Sequence, residues 1–466
     1  MDLRRRVVPG ALVAVLAACS STGPSDSIGT SSPTASGAPS VSRAPTASQQ
    51  PVPFVADVDR LSADLEALQA AADANGGIRA AGTPGYEASV DHVAAAMEEI
   101  GFSVTLPEVS FIGFRELPGS RLEVGGTVVE GADELHALIY SPSGDLSGPV
   151  AVLTGSGCDQ ADFAGIPDGA IALTTMGGCF RRDQAINAAA AGAVALIVGY
   201  PDRGPGEIFR PTLIDPDAIE IPVVSVTGAT VDLLADADEA RLVVATEREP
   251  STLHNVIAQL GDGPSIVMLG AHLDSVLDGP GINDNGSGVA ALLEIARGLA
   301  ATGVPDGWAV RIGLWGGEEF GTIGSRAYAA TMGDEVTAYL NLDMTGSVNG
   351  ANLVYDEAGA APGSTDITAA FDAWFAESGL ESEHVDIGGS SDHFGFTEAG
   401  IPTGGLFAGA SESGSASQPS AGGGGPAMDP CYHIACDTID NVDPERVATF
   451  AEATFAVTLR LMQSEP

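Results

Sequence analysis

Apolar residues recur at three- and four-residue steps through 56–74 (ADVDRLSADLEALQAAADA) and 84–100 (PGYEASVDHVAAAMEEI), which predicts two amphipathic helices packed on a sheet. FSVTLPEVSF and RLEVGGTVVEG then read as strands. The character changes near residue 131: from there to about 249 come short Val/Ile-rich runs, PVAVLTG, AIALTTMG and AVALIVGY, with one helical stretch, RRDQAINAAAAGA, before the last. This predicts a small α+β domain inserted at 131–249. Beyond 260, PSIVMLGAHLDSV is an unbroken apolar run that ends at His272 and Asp274, as expected of a strand buried on both faces of a parallel sheet. GINDNGSGVAALLEIARGLAAT sets Asp284 ahead of a helix with Val289, Leu292, Leu293, Ala296 and Leu299 on one stripe. AVRIGLW and TAYLNLD are further strands, delivering Glu318, Glu319 and Asp343 at their exits. The predicted fold is α/β, a mostly parallel mixed sheet flanked by helices, built from 53–130 and 250–466 around the insert.

Composition narrows the partners. Acidic residues number 62 against 19 basic ones, for a formal charge of -43 in 466 residues. That field repels phosphate backbones, so no nucleic-acid partner is expected. The leader MDLRRRVVPGALVAVLAAC places three arginines before an apolar run too short to span a bilayer, the pattern of a signal peptide. Leu16-Ala17-Ala18-Cys19 resembles a bacterial lipobox, which makes Cys19 the lipidated first residue of the mature chain and 1–19 its leader. The Ser/Thr/Pro-rich stretch 20–52 then reads as a flexible tether. The expected location is the outer face of the cell membrane, held by the lipid anchor alone, or the extracellular medium. Four cysteines remain, an even number suited to an oxidising compartment, and their spacing suggests Cys431–Cys436 and Cys158–Cys179 bridges.

Candidate chemistry gathers at the strand exits, where open α/β sheets hold their sites. An isolated His or Asp there is ordinarily a turn residue, but four successive exits each present a His or a carboxylate. Imidazoles and carboxylates without thiolate suit Zn²⁺ and admit Co²⁺ or Mn²⁺, and so many negative charges favour two cations over one. The adjacent Glu318 and Glu319 repel each other unless the surface solvates them or a cation or a proton holds them.

HLDSV (272–276), NDNGSG (283–288), EEFG (318–321), NLD (341–343), SDH (391–393) and DPCYHIACD (429–437) occur in an order and spacing that resemble the M28 di-zinc aminopeptidases of the secreted bacterial type. CDQADFAG, GAIALTTMGGCF and the helix running into AAAAGAVALIVGY resemble the protease-associated (PA) domain. The resemblance implies two zinc ions per chain, with His272 and Glu319 on one, His433 and Asp343 on the other, and Asp284 bridging. It implies Glu318 as general base, Asp274 as the carboxylate orienting a ligand imidazole, Tyr432 as hydrogen-bond donor to the oxyanion, and a cis peptide after Asp284. Glu318 and Asp343 are its candidates for holding the substrate's free α-amino group, and peptide or protein N-termini are the implied substrates of a monomeric enzyme. Relatives carry Arg where this chain has Ser390, and the DPCYH context makes His433, not His393, the metal histidine. A carboxypeptidase, a glutaminyl cyclase or an amidase on the same scaffold, or a non-catalytic surface binding protein, are the alternatives.

Overall fold

The computed structural model describes residues 54–175, 177–333, 335–357, 360–411 and 426–463; the leader, Cys19 and the tether lie outside the described residues. Both N-terminal helices form where the periodicity predicts. Helix α1 (Val58–Asp73) starts at Asp57, whose carboxylate accepts from the N–H groups of Asp59 and Arg60. Helix α2 (Pro84–Ile100) starts at Thr83 with proline in its first turn, and ends at Gly101 in the left-handed conformation. Strands β1 (Ser103–Thr105) and β2 (Glu108–Glu116) follow.

A second sheet comes next in the chain. It contains β3 (Arg121–Val124), β4 (Thr127–Glu130), β5 (Leu135–Ala137), β6 (Gly144–Val152), β7 (Ile171–Thr174), β8 (Ala195–Tyr200), β9 (Val223–Thr227) and β10 (Glu239–Val244), with α3 (Arg181–Ala190) and α4 (Gly228–Ala235) beside it. Its strand order is β4-β3-β10-β6-β7-β8-β9-β5. The β3–β4 hairpin therefore belongs to this sheet and not to 53–130, where the sequence placed it. Its partner β10 lies over a hundred residues downstream, so local pattern could not reveal the pairing. The hairpin thus shares a sheet with the strands of the insert, across the boundary expected at residue 131. A nine-residue antiparallel ribbon of β2 with β11 (Thr246–His254) carries the chain out and back.

The rest of the chain completes the first sheet: β12 (Val256–Leu260), β13 (Ser265–His272), α5 (Gly288–Thr302), β14 (Trp308–Trp315), α6 (Ile323–Ala329), β15 (Val336–Asp343), β16 (Leu353–Tyr355), α7 (Ser364–Glu377), β17 (Glu383–Val385), α8 (His393–Glu398), β18 (Thr403–Phe407) and α9 (Pro444–Leu461). The order is β1-β12-β14-β13-β15-β18-β16-β17, with β14, β13, β15 and β18 parallel at its centre. Val267 and Leu269 of β13 pack into the large core with α1, α2, α5 and α9, whereas Met268 packs with Trp315, Tyr339 and Phe396 beside α6 and α8. Burial on both faces is why β13 shows no alternation in sequence. All five residues of the predicted α5 stripe are fully buried. Among the described residues no helix is long and apolar enough to cross a membrane.

Candidate metal centre

Three adjacent parallel strands end together. His272 is the last residue of β13 and pairs in register with Trp315, the last of β14, while Asp343 ends β15. The two glycines after Trp315 turn the chain so that Glu318 and Glu319 come back over the sheet. A Cβ at Gly316 would lie 2.2 Å from the Tyr86 hydroxyl, and Gly317 has φ +75°, so neither position accepts a side chain. The turn is fastened by Asp274, whose carboxylate oxygens accept the N–H groups of Glu318 at 3.1 Å and Glu319 at 3.4 Å. Asp274 reaches the His272 imidazole differently from the expectation: its backbone carbonyl is 3.1 Å from Nδ1, and its carboxylate is 3.8 Å away.

Asp284 stands between two histidines. Its Oδ1 lies 3.1 Å from His272 Nε2 and its Oδ2 3.1 Å from His433 Nε2. Asp343 Oδ1 approaches His272 Nε2 at 3.4 Å, and Glu319 Oε2 approaches His433 Nε2 at 3.3 Å. Two donor sets result, His272–Asp284–Asp343 and His433–Asp284–Glu319, each with its donor atoms within 4.8 Å of one another. The expected pairing is thereby reversed: His272 goes with Asp343 and His433 with Glu319. Strand order is the reason, because β15 lies directly beside β13, whereas Glu319 stands four residues beyond the end of β14 and reaches outward to the His433 loop. Glu318 and Glu319 also come within 4.8 Å of His272, but the shorter contact assigns Glu319 to His433.

This donor set fits zinc. Glu319 Oε1 and Asp343 Oδ1 are buried without a hydrogen-bond partner among the described residues, which is costly for anionic oxygens unless a cation faces them. Imidazoles and carboxylates without thiolate are a zinc donor set. Burial pushes Glu318 and Glu319 well above the usual carboxylate range, and neighbouring acids, Asp392 and Asp343 for Glu318 and Asp284 for Glu319, add to the effect. Burial opposes charge on His272, yet Asp343 and Asp284 outweigh it and raise its pKa. A cation in the centre would relieve both.

The support beneath the centre includes residues that the motif reading passed over. Asp284 lies in the irregular turn Ile282–Ser287, and its peptide to Asn285 is cis. Asn285 Nδ2 donates to the Leu342 carbonyl, tying this turn to β15. Asp437 accepts the N–H groups of Asn283 and Asp284, and Asp429 accepts from Asn283 Nδ2. Arg79 is fully buried, and its guanidinium donates to the carbonyls of Leu273, Pro280 and Gly281 in the loop between His272 and Asp284. Burial lowers its pKa to about 10, so it remains a cation below the carboxylates. Asp429 and Asp437 bracket the DPCYHIACD motif and could have been flagged there; nothing in the sequence around Arg79 singles it out.

His433 projects from a loop closed by the Cys431–Cys436 bridge, and its backbone adopts φ +60°. Tyr432 stacks on it with ring centres 3.8 Å apart. Ser391 Oγ donates to Asp343 Oδ2 at 2.6 Å. His393 turns away, its Nε2 at the Gly388 carbonyl, and burial lowers its pKa to about 4. Ser390 Oγ donates to Ile387. The centre opens into a pocket of about 590 Å³ whose walls include Tyr432, Tyr355, Phe394 and Ser390. Phe180, Arg182, Arg210 and Ile214 of the insert also line it, as does Cys179. The Cys158–Cys179 bridge therefore borders the pocket.

Residues 255–458 match the model of peptidase family M28, and 146–234 match that of the PA domain. The chain is 39% identical over 409 residues to "Probable lipoprotein aminopeptidase LpqL" of Mycobacterium tuberculosis, covering 83% of this chain and 81% of that one. It is 38% identical over 426 residues to an aminopeptidase of Pseudomonas aeruginosa, covering 84% and 79%. Among solved structures, BSAP, a zinc aminopeptidase from Bacillus subtilis, superimposes with TM-score 0.68 at 26% identity, covering 88% of this chain and 96% of that one. An aminopeptidase from Aneurinibacillus sp. strain AM-1 gives 0.66 at 28%, covering 87% and 94%.

Proposed function

Because the chain belongs to peptidase family M28 and carries a PA domain, we propose that this zinc aminopeptidase removes the N-terminal residue of peptides at a centre of two zinc ions. Asp284 carries the reading, with one carboxylate oxygen 3.1 Å from each of two histidines. His272 and Asp343 complete one site; His433 and Glu319 complete the other. When bound, zinc polarises the scissile carbonyl and lowers the pKa of water toward neutrality.

The chain's own residues supply the rest. Glu318, partly exposed to the pocket and held by Asp274 through its backbone, takes the proton of the attacking water and returns it to the leaving amine. Arg79 fixes both ends of the loop that runs from His272 to Asp284, and Asp274 fixes the turn that carries Glu318 and Glu319. Tyr432 lines the pocket beside His433, where its hydroxyl donates to the developing oxyanion. The free α-amino group of the substrate is held by Glu318 and Asp343, which restricts cleavage to the first peptide bond. Export and anchoring through a lipid on Cys19 complete the reading, so that the enzyme acts on peptides outside the cell; a Cys19→Ser chain should leave the detergent phase on Triton X-114 partition.

The decisive measurement is zinc per chain together with hydrolysis of Leu-p-nitroanilide and its N-acetylated form. Two zinc ions and turnover of the free-amine substrate alone are expected. A single zinc, or equal turnover of the blocked substrate, overturns the reading.

A further inference from the structure

The two metal histidines are oriented by different means. His272 has its Nδ1 3.1 Å from the Asp274 carbonyl. That is the usual arrangement, in which a ligand imidazole is fixed through its other ring nitrogen. His433 has no such hydrogen bond from a protein group among the described residues. Instead it is held as a ring. Tyr432 stacks on one face at 3.8 Å and 23°, and Phe209 meets Tyr432 edge-on at 5.6 Å and His433 at 6.1 Å. Phe209 comes from the insert, between β8 and β9, far from either half of the catalytic sheet in sequence.

Phe209 is itself secured from both sides. Tyr200, at the end of β8, packs against it edge-on at 5.4 Å, and the Arg203 guanidinium lies 4.0 Å over its ring. The next residue, Arg210, is buried and anchors the segment to the catalytic part. It donates to Asp278 with Nε at 2.9 Å and Nη2 at 3.1 Å, and it also pairs with Glu116. Asp278 lies on the loop between His272 and Asp284. The following glycine, Gly279, is packed so closely on the His433 loop that a Cβ there would lie 2.5 Å from the Ile434 carbonyl. The insert is thus fastened to both metal-bearing loops within a few residues of the aromatic contact.

We infer that Phe209 is a positioning residue: it holds the Tyr432–His433 pair so that His433 Nε2 faces Asp284 and Glu319, and the insert thereby completes one half of the metal centre. This rests on the assignment of His433 as a metal ligand. Its backbone at φ +60° lies in a region uncommon for a residue with a side chain, so the loop alone does not favour the required direction.

The test uses the full zinc-loaded protein and the variants Phe209→Ala, Phe209→Leu and Phe209→Tyr. Release of zinc to a chromogenic chelator is followed alongside kcat and KM for Leu-p-nitroanilide and the unfolding midpoint of the zinc-stripped protein. Phe209→Ala and Phe209→Leu should release one of the two zinc ions about 10- to 100-fold faster, the usual range for an orienting contact. The second ion should leave at the wild-type rate, kcat should fall at near-constant KM, and the stripped midpoint should hold. Phe209→Tyr should restore slow release. Wild-type release from Phe209→Ala overturns the inference, and so does faster loss of both ions together with a lowered stripped midpoint, which marks general loosening. His433→Ala separates the two claims: if it retains both ions, the ligand assignment falls, whatever the Phe209 variants do.

Discussion

Asp437 and Asp284 are joined carboxylate to backbone. Asp437 Oδ2 accepts the Asp284 N–H at 3.0 Å while its Oδ1 accepts the Asn283 N–H at 2.9 Å, and Asn441 Nδ2 donates to the same Oδ1 at 3.1 Å. The loop bearing His433 and the turn bearing the carboxylate between the two histidines are therefore tied together. Asp437→Asn replaces one acceptor by an N–H₂ that confronts a buried N–H, at a cost of about 1–3 kcal/mol. Urea unfolding should register that loss, and zinc retention should weaken at the same time. Wild-type retention in a destabilised variant would show that the two loops are held in register by other contacts.

The adjacent glutamates divide their work. Glu318→Gln should keep both metals and lower kcat about 10²- to 10⁴-fold, the share of a general base. Glu319→Gln should lose or weaken the ion shared with His433, with activity partly restored by excess zinc. Atomic absorption alongside Leu-p-nitroanilide turnover distinguishes the two, and equal metal loss in both variants would contradict the division.

Reduction should act on one half of the centre first. The Cys431–Cys436 bridge closes a five-residue separation around His433, so mild thiol treatment should release the His433–Glu319 ion before the sheet unfolds. The assay is zinc release against circular dichroism. Simultaneous loss of both signals would mean that the bridge supports the whole fold.

The anchor between insert and catalytic part should carry a pH signature. Burial raises the Asp278 carboxyl, but the charge and hydrogen bonds of Arg210 outweigh it, and the folded pKa lies below the ordinary value. His136 sits 2.6 Å from the same guanidinium, and burial lowers its pKa, so it remains neutral at pH 7 and accepts from Arg210. A depressed carboxylate contributes stability that is fully present above its unfolded pKa, about 3.9, and is lost as pH falls through the lower folded value. Arg210→Met should cost about 3–5 kcal/mol at neutral pH by leaving Asp278 and Glu116 buried without their cation. With the cation gone burial raises the Asp278 carboxyl in the variant, so the gap from wild type should begin to narrow above about pH 4, as the variant's carboxyl takes up its proton first. A gap independent of pH between 6 and 3 would remove Asp278 from the account.

What the residues determine by themselves is local. The stripes of α1, α2 and α5 and the unbroken apolar run of β13 follow from side-chain period and burial, and they could be read directly because each involves neighbours a few residues apart. The candidate site residues could be picked out for the same reason: His272, Asp284, Glu318, Glu319 and Asp343 sit in short motifs at or next to the ends of elements, and His433 in a short loop motif. Tertiary structure decided which of them meet. The side-by-side placement of β13 and β15 sets His272 against Asp343, and the reach of the turn after β14 sends Glu319 to His433, the reverse of the pairing that the family resemblance implied. It also set the β3–β4 hairpin in one sheet with the strands of the insert through a strand over a hundred residues away. Arg79 comes under the carboxylates and Phe209 against the histidine ring by packing between distant segments. No periodicity records such contacts, because strand order and the docking of one sheet on another are set by burial summed over the whole chain.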